Sequence, residues 1–171
     1  ASISFQSPWW EQYHHVEDYF SRVNVALSEG ECVQRLLVIH PIESMFARFR
    51  PRLLNHEQAD KDMMFHEGEE TSELDRRAGV TRDILLQNHL DYAYADEEML
   101  GRLGTVSTKS RTLNLGRGSY DAVLVPPVDT LRESTVRLLE NFRTAGGTVV
   151  FAGEPPQLVD GVPDDSAAFL A

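Results

Sequence analysis

At 171 residues, with 42% hydrophobic and 25% charged side chains, the chain has the size of one globular domain burying roughly 70% of its unfolded surface, and it lacks the Gly, Pro or Gln excess of a disordered or fibrous polymer. Lys+Arg 16 against Asp+Glu 27 give a net charge of −11, a field that repels phosphate backbones and anionic lipid headgroups and so argues against nucleic acid and membrane as partners. No apolar run approaches the roughly 20 residues that span a bilayer. The start, Ala1-Ser2-Ile3-Ser4-Phe5-Gln6, has no signal-peptide character, and the single cysteine, Cys32, excludes an internal disulfide and a multi-cysteine metal cage while leaving the compartment open.

After Pro8, the stretch Trp9 to Glu29 sets Tyr13, Val16, Tyr19 or Phe20, Val23 and Leu27 at three- and four-residue steps, which predicts an amphipathic helix closed by Gly30. Cys32 reads as a small apolar residue buried just before a strand. Val33 to Ile39 is a short apolar run stopped by His40-Pro41, the pattern of a buried parallel strand feeding a loop. The segment 43–71 breaks the rhythm: Met45, Phe46, Phe49, Leu53 and Leu54 suggest partial helix, Pro51 interrupts it, and an insertion is expected there. Ser72 with Asp75 resembles a capping signal for a helix running to about His89. Asp91 to Ala95 is a brief extended run, and Asp96-Glu97-Glu98 suits the amino terminus of a short helix. Gly104 to Ser107 and Thr112 to Leu115 pair as a small hairpin.

The clearest unit comes last. Tyr120 to Val125 is a strand, Leu131 to Ala145 has helical spacing, Gly146-Gly147 stops the helix, and Thr148 to Phe151 is a second strand. Strand, helix, strand of this kind is a right-handed βαβ unit with parallel strands. The segment from Glu154 to Asp165 reads as loop. The alternation of elements predicts an α/β fold: an open, mostly parallel sheet with helices on both faces, flavodoxin-like in outline. Val33–Ile39, Ala122–Val125 and Thr148–Phe151 are expected as its central, buried strands.

In such sheets ligands sit at the carboxyl ends of the strands. The residues there are His40, Glu43, Asp96, Glu97, Pro126, Pro127, Asp129 and Glu154. A histidine among carboxylates serves general acid–base chemistry or a hard cation if the groups converge; polar residues past strands also serve as plain caps and loop anchors. Other chemistry is missing. Neither phosphate-binding glycine pattern follows a strand, and Gly116-Arg117-Gly118 precedes one. No G-x-S-x-G elbow frames Ser44 or Ser119. His14-His15 has no H-E-x-x-H frame and reads as a solvated pair rather than a metal site. Pro8-Trp9-Trp10-x-x-Tyr13 is either a packing edge or a sugar-stacking platform.

Three stretches, S-P-W-W-E-Q-Y with D-Y-F-S-R-V-N-V-A-L-S-E-G, L-L-V-I-H-P-I-E-S, and Y-D-A-V-L-V-P-P-V-D-T-L-R-E-S-T with A-G-G-T-V-V-F-A-G-E-P-P, together resemble the α/β domain that follows the catalytic barrel in large α-L-rhamnosidase-like glycoside hydrolases. That domain is similar to the trimerisation domain of certain β-galactosidases and to class I glutamine amidotransferases. The resemblance covers the chain apart from Arg48 to Thr71. In amidotransferases of this fold a nucleophilic cysteine follows the strand that here reads Thr148 to Gly153; Gly153-Glu154-Pro155 stands in its place and Cys32 lies elsewhere. The glycosidase carboxylates belong to the barrel, so no catalytic residue carries over. The resemblance thus implies a non-catalytic accessory domain without cofactor or metal. Its partners would be other domains of the same parent chain or further copies in a homo-oligomer, with His40, Glu43, Asp96, Glu97 and Glu154 on a ligand-facing or interdomain edge.

Overall fold

A computed structural model describes residues 4–30, 33–49, 69–164 and 166. Cys32 and most of the expected insertion, residues 50–68, lie outside the described residues; the insertion's ends fall in helices, since Glu43 to Arg48 belong to a helix spanning Ile42–Arg48 and another helix begins at Glu69. The chain forms two compact units, Ala1–Val33 and Gln34–Ala171.

In the first unit the predicted helix begins as a 3-10 turn, Trp10–Gln12, and continues as α1, Tyr13–Ser28, with no buried residue. The Trp10 and Tyr13 rings lie parallel, 6.5 Å apart. The His14 ring bonds the Glu11 carbonyl oxygen at 2.8 Å, and the His14 and His15 rings turn towards each other at 3.8 Å.

The second unit is built on four parallel strands, β1 (Leu36–Ile39), β2 (Tyr92–Ala95), β6 (Ala122–Val125) and β8 (Thr148–Phe151), in the spatial order β2-β1-β6-β8. Counting only these four, the order is 2-1-3-4, the beginning of the flavodoxin-like order 2-1-3-4-5. Odd-numbered residues point to one face, where Leu37, Ile39, Ala95, Val123 and Val125 are buried. They meet α4 (Glu97–Leu103), α5 (Glu133–Thr144) and an antiparallel meander of β3 (Thr105–Ser107), β4 (Thr112–Leu115) and β5 (Gly118–Tyr120), whose Leu100, Leu139, Phe142, Leu113 and Tyr120 complete the core. The other face carries α3 (Glu69–Gln87), whose Val80, Ile84 and Leu85 share a shallow concavity with Leu124, Pro127 and Ala152. Helices therefore cover both faces, as an α/β sheet requires.

Local chemistry accounts for the element ends. Asp96 caps α4, its Oδ1 accepting the Glu98 and Met99 N–H at 2.8 and 3.2 Å. Helix α5 buries Thr135, Val136, Leu139 and Phe142 at three- and four-residue steps and stops at Gly146, whose φ of +91° suits a residue without Cβ. There the Gly147 N–H returns to the Phe142 carbonyl at 2.9 Å.

Three expectations need correction. Strand β1 starts at Leu36 rather than Val33: Val33 is exposed, and the Arg35 side chain leaves the sheet to bond both carboxylate oxygens of Asp121 at 2.6 and 2.7 Å. Among the described residues β8 is an edge strand, with Thr148 and Val150 exposed, so it is neither central nor fully buried. The end of the chain is not simply loop. Strands β9 (Leu158–Val159) and β10 (Val162–Pro163) join β7 (Thr130–Leu131) in a small sheet at the carboxyl end of the main one.

Candidate functional site

The strand order reverses between β1 and β6, and the crevice at their carboxyl ends is where a ligand would enter a fold of this type. Helix α2 (Ile42–Arg48) follows β1 after His40-Pro41, and Pro126 to Asp129 follow β6. The two segments are tied together. The buried Ser44 Oγ accepts the N–H groups of Asp129 at 3.0 Å and Thr130 at 3.3 Å, and the Arg48 guanidinium grips the Asp129 carboxylate with two nitrogens. A serine held by two backbone donors at the switch point clasps helix α2 to the loop after β6, and among the described residues its hydroxyl is bonded only to backbone groups.

Glu97 lies beside this clasp and is the most deeply placed of the predicted residues, at 2% exposure. Its Oε2 accepts the Arg132 N–H at 2.7 Å, at the residue that caps α5, so the carboxylate faces the positive end of that helix. It serves α5 as the N3 carboxylate of a capping box serves its own helix, by accepting the N-cap N–H, but from another element. The fully buried Thr135 hydroxyl, otherwise unpartnered among the described residues, sits next to the same carboxylate. Burial pushes the Glu97 carboxyl above the usual range; the Arg132 N–H and Thr135 hydroxyl oppose the rise and the neighbouring Glu43 adds to it.

Glu43, in the first turn of α2, takes the Arg132 guanidinium at 2.7 Å from Nε, with Nη2 on the same oxygen. Arg132 thus serves one carboxylate with its side chain and the other with its backbone. Hydrogen bonding to Glu43 holds the Arg132 guanidinium firmly charged. Asp96 is committed to capping α4.

His40 and Glu154 are exposed. His40 donates its backbone N–H to Ala95 at 2.8 Å, while its ring stands edge-on to Tyr94 at 5.7 Å and Tyr94 in turn meets Tyr92 at 5.2 Å. Of the five predicted residues, therefore, Glu43 and Glu97 converge through Arg132, Asp96 adjoins them as a cap, and His40 and Glu154 stand apart from that network. Neither of the two concavities that stand out is lined by any of the five: one is the groove of about 300 Å³ under α3, the other a hollow of about 410 Å³ bordered by Glu133, Arg137, Glu140, Asp160 and Asp164. Among the described residues no group of three or more His, Cys, Asp or Glu side chains is placed to hold a metal ion, and no helix is long and apolar enough to cross a membrane.

Sequence reasoning missed Arg132 and Ser44, the two residues that join the edge together. In the sequence Ser44 stands out only by lacking the G-x-S-x-G elbow of a nucleophile. Glu97 carried a readable signal: it sits three residues before Leu100 and so shares the buried side of α4.

Fold and site define a parallel α/β domain whose carboxyl edge is internally bonded. No family model, curated protein or solved structure matches the chain.

Proposed function

We propose that this chain is a non-catalytic accessory domain of a larger glycoside-hydrolase-like protein, holding a rigid edge against a neighbouring domain. The observation that supports it best is the commitment of the edge carboxylates. Glu43 is neutralised by Arg132, Asp96 caps α4, and Glu97 is sealed under the amino end of α5. A general acid or base needs access to substrate; these groups instead fix loop positions, as a surface that must keep its shape for a partner requires. The assay is direct: the pure chain should turn over neither aryl-rhamnosides nor glutamine. Turnover that persists through further purification would overturn the proposal.

A second reading, in which the edge completes a neighbouring carbohydrate site, draws on the exposed His40 beside Tyr94, itself 48% exposed. Asp96 is unsuited to testing it, because its loss uncaps α4. Replacing His40 and Glu154 by Ala in the larger protein leaves the bonded network untouched. Under the second reading catalytic efficiency falls; under the first, activity holds and only the stability of the interdomain junction changes.

A further inference from the structure

We infer that β8 is a self-association edge, and that two copies of this chain pair their β8 strands antiparallel across a two-fold axis to form one continuous sheet. Backbone polarity comes first. Thr148 donates its N–H to the Asp121 carbonyl and Ala152 donates to that of Val125, and the β6–β8 register sets Ala122 against Thr148 and Leu124 against Val150. In a parallel ladder alternate residues use both backbone groups on the same neighbour. Residues 148, 150 and 152 therefore serve β6, and Val149 and Phe151 turn their N–H and C=O groups outward, where no strand meets them among the described residues.

Natural sheets protect such edges with Lys, Pro, a bulge or an inward charge. Here the edge reads Thr148-Val149-Val150-Phe151, and no charged residue occurs between Arg143 and Glu154 in a chain of net charge −11. A second copy can approach this stretch without like-charge repulsion. Outward residues must oppose outward residues in an antiparallel pair, and the register that pairs Val149 and Phe151 with each other across the axis centres the two-fold on Val150. Val149 then exchanges two hydrogen bonds with the partner's Phe151, and Phe151 two with the partner's Val149. Thr148 falls opposite the partner's Ala152, and Val150, 43% exposed, opposite its own counterpart.

The other edge shows what protection looks like in the same molecule. The His40 N–H bonds the Ala95 carbonyl, so Tyr92 and Tyr94 are the outward residues of β2. Pairing two copies of β2 about Ala93 brings Asp91 within one residue of the partner's Asp96 at both ends. That edge repels itself; β8 fits itself.

Sedimentation velocity on the whole chain should show a concentration-dependent monomer–dimer equilibrium. Val150→Lys and Val150→Glu each place like charges face to face at the two-fold and should give monomers alone, whereas an equimolar mixture of the two variants should recover the dimer. In the wild type, amide exchange at Val149 and Phe151 should slow at least tenfold between dilute and dimer-forming concentrations, a readout that needs no variant. A chain that stays monomeric, a dimer that persists in both single variants, or Val149 and Phe151 amides that remain unprotected in the dimer would each overturn the inference.

Discussion

The two faces of the parallel sheet are made from the same four strands and have opposite fates. On the odd face Leu37, Ile39, Ala95, Val123 and Val125 are buried against α4, α5 and the β3–β5 meander; on the even face Val38 alone of the strand residues is buried, and Tyr94 and Val150 are about half exposed. The even face has α3, which buries Leu74 and Leu85 but leaves Val80, Ile84 and Leu86 exposed. Period-two alternation assigns residues to faces, and only the covering elements decide which face becomes core. The odd face should therefore hold most of the stability and the even face most of the surface open to change.

The largest expected effect is a pair of identical substitutions on opposite faces. Val125→Asp puts an unpaired carboxyl at a position with no exposure, costing several kcal/mol or more, comparable with a total stability of about 5–15 kcal/mol. The variant should not reach a soluble native state, whereas Val150→Asp should give a wild-type circular dichroism spectrum. Native-like spectra from both would dissolve the distinction between the faces.

A milder version uses truncation. Phe142→Ala removes a fully buried ring that touches the odd-face core, and should cost about 3–5 kcal/mol in urea unfolding. Ile84→Ala on α3 should stay within about 0.5 kcal/mol of wild type, because Ile84 is exposed and Ala regains part of the loss through helix propensity. Equal costs would mean that α3 packs as tightly as α5.

The same contrast explains what could be read from the chain. The odd face and the βαβ unit were legible because they are written as uninterrupted apolar runs, L-L-V-I and A-V-L-V, with helical spacing between them. Strand β5 was not: Gly118-Ser119-Tyr120 has no alternation and acquires strand geometry by pairing with β4. Strands β7, β9 and β10 have two residues each, too few for a period. At the edge, three consecutive acids look equivalent in sequence and diverge in space: Asp96 caps α4, Glu97 is buried under α5, and Glu98 turns outward to Arg102 at 2.9 Å. Helix geometry separates them, but only the placement of α5 shows that the middle one has a backbone donor waiting for it.

Removing the link between the two edge carboxylates should have a modest effect. Arg132 is 41% exposed and Glu43 23%, so solvent screens the pair and its loss should cost roughly 0.5–1 kcal/mol. A double-mutant cycle of Arg132→Ala and Glu43→Ala measures that coupling directly. The backbone bond from Arg132 to Glu97 survives both changes, so a coupling well above this range would show that the edge behaves as one network rather than as separate ties.

Glu97→Gln gives the smallest effect and the most specific one. In the folded chain burial keeps the Glu97 carboxyl above its ordinary value of 4.5, while in the unfolded chain water restores that value. Between the two the folded protein holds a proton that the unfolded chain has released, so stability from this group is full below the unfolded pKa and declines as pH rises through the folded one. Glutamine keeps an oxygen for the Arg132 N–H and cannot titrate. Subtracting the stability of the Gln variant from that of wild type cancels the other groups, including the exposed Glu73 carboxyl, which hydrogen bonds from Arg76 and then Arg77 lower to about 2 and which acts with the opposite sign at lower pH. Measured by urea unfolding between about pH 4 and about pH 8, the difference should fall with rising pH from near the ordinary carboxyl value and level off once Glu97 is ionised in the fold. A flat difference would mean that water reaches this carboxyl, and a rising one that Arg132 rather than burial governs it.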